Sequence, residues 1–553
     1  MTLDMDIDTR DLEPVEVTTA AAPVGLAAPA LALALAACGG DGRGTAPVAD
    51  APSAPVVVAP AAITTAQASR FLAQSTMGAT HAMIDTVIAR RYSGWIDDQF
   101  ALARATSHWD WLVANGYNVA ANMNNEAGFD ATMWRQMIVE PDQLRQRVGM
   151  ALLDMLVVGI GAVNLNWKQF ATAAYVDVLL DNAFGNYRNI MDAITTNAAM
   201  GSFLTFLGNR KANAATGAQP DENYARELMQ LFTIGLYQLN MDGSVKTSGS
   251  TPLETYTPAD VSGLARVFTG LNLATTVSTT PDRYRQPLVM NTAQNETGTA
   301  AFLGTSTSGG GMAAIKVALD TIFAHPNMPP FVSKQLIQRL VTSNPSPAYV
   351  GRVAATFADN GSGVRGDMKA IIKAILLDTE ARADTALTTA TAGKLREPVQ
   401  RLTAWARMFG VNSPSSAWGI GDTSSQANRL GQSMGRSATV FNFFRPGYSP
   451  PATGIASAGL VAPEFQITNE QTNIAYINYM QALVANGTGD VKPDYADILT
   501  KASDTNALVD EINLVLAAGQ LSTTALTAIK AAVDSMSATA TNGPITASGS
   551  RSC

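Results

Sequence analysis

The sequence of 553 residues holds few of the side chains that most often carry chemistry. It has two cysteines, Cys38 and Cys553, one near each end. A thiolate zinc site or a cysteine nucleophile inside the fold is therefore excluded by count. Its three histidines, His81, His108 and His325, have no partner at helical ligand spacing. A lone histidine is more often a cap or a hydrogen-bonded core residue than a ligand, so the sequence calls for no metal and no cofactor. Charged residues make up only 15% of the chain and the net charge is −8, which leaves no basic footprint for nucleic acid. No Gly-x-Ser-x-Gly elbow, phosphate loop or dinucleotide fingerprint stands between a strand and a helix. Asp359-Asn360-Gly361-Ser362-Gly363 lacks the alternating acids and final Glu of a calcium loop and reads as a turn. No internal repeat of fixed period is visible.

What is present is apolar and rich in alanine: 47% of residues are hydrophobic, and the length suffices for a large core. Residues 20–37 form an Ala-rich apolar run broken by Pro23 and Pro29, ending Leu35-Ala36-Ala37-Cys38-Gly39-Gly40. Small residues followed by Cys at the end of such a run resemble a bacterial lipoprotein signal, with Cys38 the lipidated residue. The alternative is a disordered Ala/Pro leader. The preceding residues depart from the signal pattern, carrying six acids (Asp4, Asp6, Asp8, Asp11, Glu13 and Glu16) against Arg10. The organisation expected is a signal segment 1–38, a flexible Gly/Pro/Ala tether 39–62, one large helical domain 63–540 and a disordered tail 541–553.

From Ile63 onward the hydrophobic pattern is helical nearly everywhere. Gln143 to Ile160 reads as a long, central apolar helix. The stretch Pro220 to Tyr237 organises the rest: at 100° per residue Tyr224, Leu228, Leu231, Phe232 and Leu236 share one face. Glu222, Asn223, Arg226, Glu227, Gln230 and Thr233 share the other. Asp242-Gly243 signals a hairpin turn within 240–256. Thr257-Pro258-Ala259-Asp260 reads as a capped helix start. Residues 271–312, rich in Thr, Gly and Ser, read as a long irregular loop that is functional or mobile. The fold class expected is all-α, a large multi-helix globular domain with a minor β-hairpin excursion and long irregular loops.

Several segments, taken in order, carry a resemblance: Arg70-Phe71-Leu72-Ala73-Gln74-Ser75-Thr76-Met77-Gly78, Gln143 to Val148, Asn223 to Leu228, Ala265 to Gly270, His325-Pro326-Asn327, Gln338 to Val341 and Phe444 to Tyr448. Together the chain resembles the bacterial family called domain of unknown function 1800, from about residue 65 to about residue 535. The resemblance implies an exported, helical protein, often found beside a second exported family of unknown function, and it implies no established activity. Family members commonly carry His where this chain has Asn197, and another near Asn295-Glu296-Thr297-Gly298, so any chemical job of those histidines is absent or reassigned here.

The candidate site is the polar stripe of the organising helix. Glu222, Arg226 and Glu227 are the catalytic candidates, and Asn223, Arg226 and Arg266 the ligand-binding ones. If the stripe is exposed it is surface support, at about 0.2–0.5 kcal/mol per i,i+4 pair. If it faces inward, Arg226, Glu227 and Arg266 make an ion-pair network or a ligand clamp. The aromatic loop Phe441 to Tyr448, with Trp405 and Trp418, either stacks on sugar rings or wedges between helices. The function expected is an envelope or extracellular accessory protein, membrane-anchored through Cys38, that binds an exported partner protein or a polysaccharide. The alternative is a hydrolase of extracellular polysaccharide using the acids of the 221–237 helix. The location expected is exported, as a periplasmic or cell-surface lipoprotein.

Overall fold

The computed structural model describes residues 62–536. The expected signal segment with Cys38, the tether up to residue 61 and the tail 541–553 lie outside the described residues. Helix accounts for 52% and strand for 5%, so the architecture is mostly helical, with loops making up the rest. The first half holds α1 (Thr65–Ser75), α2 (His81–Ala101), α3 (His108–Ala114), α4 (Phe129–Val139), α5 (Gln143–Met155), α6 (Lys168–Asn182), α7 (Tyr187–Thr195), α8 (Ala198–Phe203) and α9 (Asn223–Glu227). Then follow α10 (Pro258–Val267), α11 (Gly311–Ala324), α12 (Met328–Leu340), α13 (Pro347–Ala358), α14 (Met368–Leu377), α15 (Thr379–Arg382) and α16 (Pro398–Met408). The chain closes with α17 (Gly454–Ser457), α18 (Glu470–Asn486), α19 (Ala496–Leu499), α20 (Thr505–Ala517) and α21 (Thr523–Ser535).

Side-chain caps start many of these helices. Thr64 and Gln67 close a reciprocal capping box on α1, at 3.2 and 3.0 Å. Thr257 and Asp260 do the same for α10 with Pro258 in its first turn, as the sequence predicts. Ser346 caps α13.

Helix α5 is buried on every side, which marks it as a core element rather than a surface one. It packs against α2, α4, α6, α12 and α1. Gly149 makes the α6 contact possible: a Cβ there would stand 2.4 Å from Leu180 Cδ2. The helix stops at Met155, not at Ile160. The reason is the loop that crosses it: Ile160 N–H donates to Gly435 O at 2.8 Å, and a Cβ on Gly159 would lie 1.9 Å from Ser437 O. That close backbone crossing takes the Ile160 N–H that a continued helix would use.

Strands occur only as two-stranded antiparallel hairpins among the described residues: β1 (Thr247–Ser248) with β2 (Thr251–Pro252), β3 (Leu271–Asn272) with β4 (Val289–Met290), and β5 (Ala300–Phe302) with β6 (Thr305–Thr307). The first sits in the excursion expected at 240–256. The other two lie within the segment 271–312, which is otherwise mostly loop, as expected. Hairpin strand β5 lies directly on α10, where a Cβ on Gly263 would meet Ala301 O at 1.8 Å.

The organising stretch is not one regular helix. Helix α9 has five residues and passes into a π turn, Leu228–Thr233, shown by Ile234 N–H donating to Met229 O at 3.0 Å. A π turn takes an extra residue, which rotates the following side chains by about 100° relative to an α-helix. Leu236, expected on the apolar face, is accordingly 46% exposed; Glu227, which precedes the turn, and Thr233, within it, were expected on the polar face and are buried. Gly235 ends the turn at φ 72°, against Phe331, with its N–H on Met229 O.

Candidate functional site

Asn327, at the start of α12, receives the chain as it leaves the π turn. Its side-chain amide donates to Ile234 O and to Tyr237 O, and its oxygen accepts from Leu239 N–H. Gln335 adds a 3.4 Å bond to Leu231 O. These bonds fix Leu231, Leu236 and Tyr237 along one side of α12, and there a cleft of about 930 Å³ opens. Its other walls come from 440–447, 459–461 and 383–392, and Asp154 and Arg339 lie at the α5–α12 contact.

The cleft combines flat aromatic faces with polar groups. Tyr237, Phe331 and Phe441 supply the rings, and Gln230, Lys334 and Gln338 supply donors and acceptors. Gln338 is itself oriented by its bonds to Ser343 O at 2.9 Å and Pro446 O at 3.3 Å. Phe441 is 39% exposed, whereas Phe444, three residues on, is buried with Arg339 over its ring at 5.4 Å. Within the aromatic loop one ring lines the cleft and another wedges into the core, as one of the two expectations had it. Trp405 and Trp418 are buried away from it.

The electrostatics centre on the C-terminal end of α12. Arg339 O accepts from Lys394 Nζ at 2.7 Å and from Arg147 Nη2, so two cations sit where a helix leaves unpaired carbonyls. Lys394 also pairs with Glu464 at 2.9 Å. Glu397, fully buried, accepts from Gln400 at 3.0 Å and from Gln432 at 2.6 Å. Beside them, Asp154 accepts from Asn442 at 2.6 Å through one oxygen, while the other has no hydrogen-bond partner. Burial first, and then the nearby Glu397 carboxylate, push the Asp154 carboxyl up to about 7 against the pull of Arg339. It can therefore hold or release a proton near neutrality.

The residues singled out from sequence stand elsewhere. Glu222 stands at the start of α9 without a side-chain capping bond, pairs with Arg226 at 3.0 Å and accepts from Ser262 Oγ. Arg226 is exposed. Asn223 lies 3.5 Å from Thr205 Oγ1. Arg266 pairs with Glu296 at 3.6 Å, so Arg226 and Arg266 share no acid and form no common clamp. Glu227 alone is buried, with one oxygen unpartnered, and burial pushes it up to about 7 despite neighbouring Arg226. None of the five lines the cleft; the later half of the same segment does.

Asp154 and Arg339, which line the cleft, and Arg147, which bonds Arg339 O, are not among the candidates taken from the sequence. The available signal was a charge within a helix expected to be central, since a buried charge must be paired. Asn197 caps α8, and buried Asn295 bonds Thr269 O and Gly311 N–H at 2.7 Å each, so both positions are structural here. His108 is buried beside Thr132 and held well below the usual histidine range by burial. Among the described residues no group of three or more His, Cys, Asp or Glu side chains could hold a metal, and no helix is long and apolar enough to cross a membrane.

The family described as "Protein of unknown function (DUF1800)" matches residues 70–547. No curated protein and no solved structure matches the chain.

Proposed function

The chain belongs to the DUF1800 family of proteins of unknown function, matched over 70–547, and from that premise we propose that it is an exported accessory protein that binds a carbohydrate polymer in the α12 cleft. The observation that carries this reading is the cleft itself, with about 930 Å³ of space lined by aromatic faces and by oriented amide, ammonium and carboxyl groups. Sugar rings present flat C–H faces and a rim of hydroxyls, and those two surfaces need these two kinds of partner. The Leu35-Ala36-Ala37-Cys38 motif supports export and a lipid anchor on Cys38.

The test is binding of the full chain to a glycan array and to immobilised polysaccharides, beside the Leu236→Glu and Phe441→Ala variants. Both substituted residues are exposed at the cleft, so folding survives. Binding that falls tenfold or more in both variants supports the reading; binding unchanged in both removes the cleft from it. For the anchor, Cys38→Ser is expected to shift the protein from the membrane fraction to the soluble one. An unchanged distribution contradicts lipidation.

A hydrolytic reading has one observation in its favour: Asp154 is a cleft carboxyl that titrates near neutrality, as a general acid must. In that reading Asp154, not Glu222 or Glu227, protonates the leaving oxygen. Release of reducing ends that is lost in Asp154→Asn while binding persists identifies a hydrolase; binding without release in the unsubstituted protein leaves the accessory role.

A further inference from the structure

A second cavity, of about 140 Å³, adjoins the cleft, with which it shares Glu380, Ala386 and Ala392. Four cations line it, Arg70, Arg147, Lys394 and Arg396, against one acid, Glu380. That acid is already engaged: one oxygen accepts from Ser346 N–H at 3.0 Å and the other from Ser346 Oγ. Arg70 is matched by Asp384 at 2.8 Å, and Lys394 by Glu464 at 2.9 Å. Arg147 and Arg396 have no carboxylate at ion-pair distance among the described residues. Arg396 donates to Leu516 O at 2.7 Å. Arg147 is 1% exposed, and its Nε and Nη1 have no hydrogen-bond partner at all.

Guanidinium stays charged in proteins, and although the Glu397, Asp154 and Glu464 carboxylates act on Arg147 from beyond ion-pair distance, a buried guanidinium with unpartnered donors is costly. At about 30 Å³ per water the cavity has room for roughly four or five waters, which suits an oxyanion and not a sugar chain. We infer that this cavity is an oxyanion site, in which Arg147, Arg396 and Lys394 receive a phosphate, sulfate or carboxylate group. Arginine forks fit the paired oxygens of such groups. The group is either a free anion or an acidic substituent of the polymer in the adjoining cleft. Only this second source rests on the carbohydrate reading; the site itself stands on the small cavity.

The experiment is calorimetric titration of the full chain with inorganic phosphate, against chloride at matched ionic strength. Phosphate is expected to bind, and Arg396→Gln to weaken it at least tenfold. Arg396→Lys, which keeps the charge, is expected to stay within a few-fold. Arg396 is partly exposed, so its variants fold where replacements of fully buried Arg147 risk unfolding. Phosphate that behaves as chloride does, or that binds Arg396→Gln unchanged, overturns the inference. An oligogalacturonide and a neutral oligosaccharide then distinguish the sources. If the uronate competes with phosphate, and its advantage over the neutral chain vanishes in Arg396→Gln, the site is confirmed and the acidic group belongs to the polymer. If phosphate binds without uronate competition, the site is confirmed for a free anion. Neutral oligosaccharide binding that is lost only in Leu236→Glu, with no phosphate binding, overturns the oxyanion site while leaving the cleft reading intact.

Discussion

Glu227 and Asp154 are buried carboxyls, each with an oxygen that no donor reaches and each pushed up to about 7, mainly by burial. A carboxyl raised in the folded state binds its proton more tightly than the unfolded chain does. Its contribution to stability is full below the ordinary Glu value of 4.5 and is lost as pH rises through about 7. For Glu227, at about 1.4 kcal/mol per pKa unit, the loss by pH 8 is roughly 3–4 kcal/mol. Glu227→Gln removes the titrating group. Relative to the unsubstituted protein, its melting temperature is therefore expected to be higher at pH 8 than at pH 5; a pH-independent difference contradicts the assignment. Gly149 gives a prediction of a different kind. Its Cβ would sit 2.4 Å from Leu180, so Gly149→Val is expected to cost about 1–3 kcal/mol by overpacking. Urea unfolding measures it, and an unchanged midpoint would mean that α5 and α6 can move apart freely.

At the scale of elements, the capped helices were legible and the π turn was not. Thr257-Pro258-Ala259-Asp260 carries its own geometry, because a hydroxyl at N-cap and a carboxylate at N3 satisfy specific orphan N–H groups. Thr257→Ala is expected to destabilise the protein by about 1 kcal/mol. The periodicity of 220–237, by contrast, fits an α-helix, and nothing local marks the extra residue. The turn is imposed by tertiary partners: Phe331 against Gly235, Asn327 on Ile234 O and Tyr237 O, and Thr255 Oγ1 on Gly235 O. π turns recur at functional sites because they redirect the side chains beyond them. Here the redirected residues are Leu236 and Tyr237, which line the cleft. Deleting Gln230 to restore α-helical register is expected to turn both away from the cleft, lowering the melting temperature and abolishing ligand binding together. Retained binding in a folded deletion variant would show that the turn does not position the wall.

For the whole molecule, the mostly helical class and the place of α5 at its centre could be read from apolar periodicity and from the absence of strand and disulfide patterns. The site could not. It assembles from α5, α12, the aromatic loop and segments more than 100 residues apart, and sequence offers no distance between Asp154, Arg339 and Phe441. The polar stripe of 220–237 stands out by its periodicity, yet half-buried Glu222 and exposed Arg226 settle into a surface pair. The central claim is that the α12 cleft holds a polymer. The most direct measurement is the affinity of the full chain for polysaccharides, with and without Leu236→Glu. The account predicts a polysaccharide ligand whose affinity drops tenfold or more in that variant. A ligand bound equally by both proteins would contradict it.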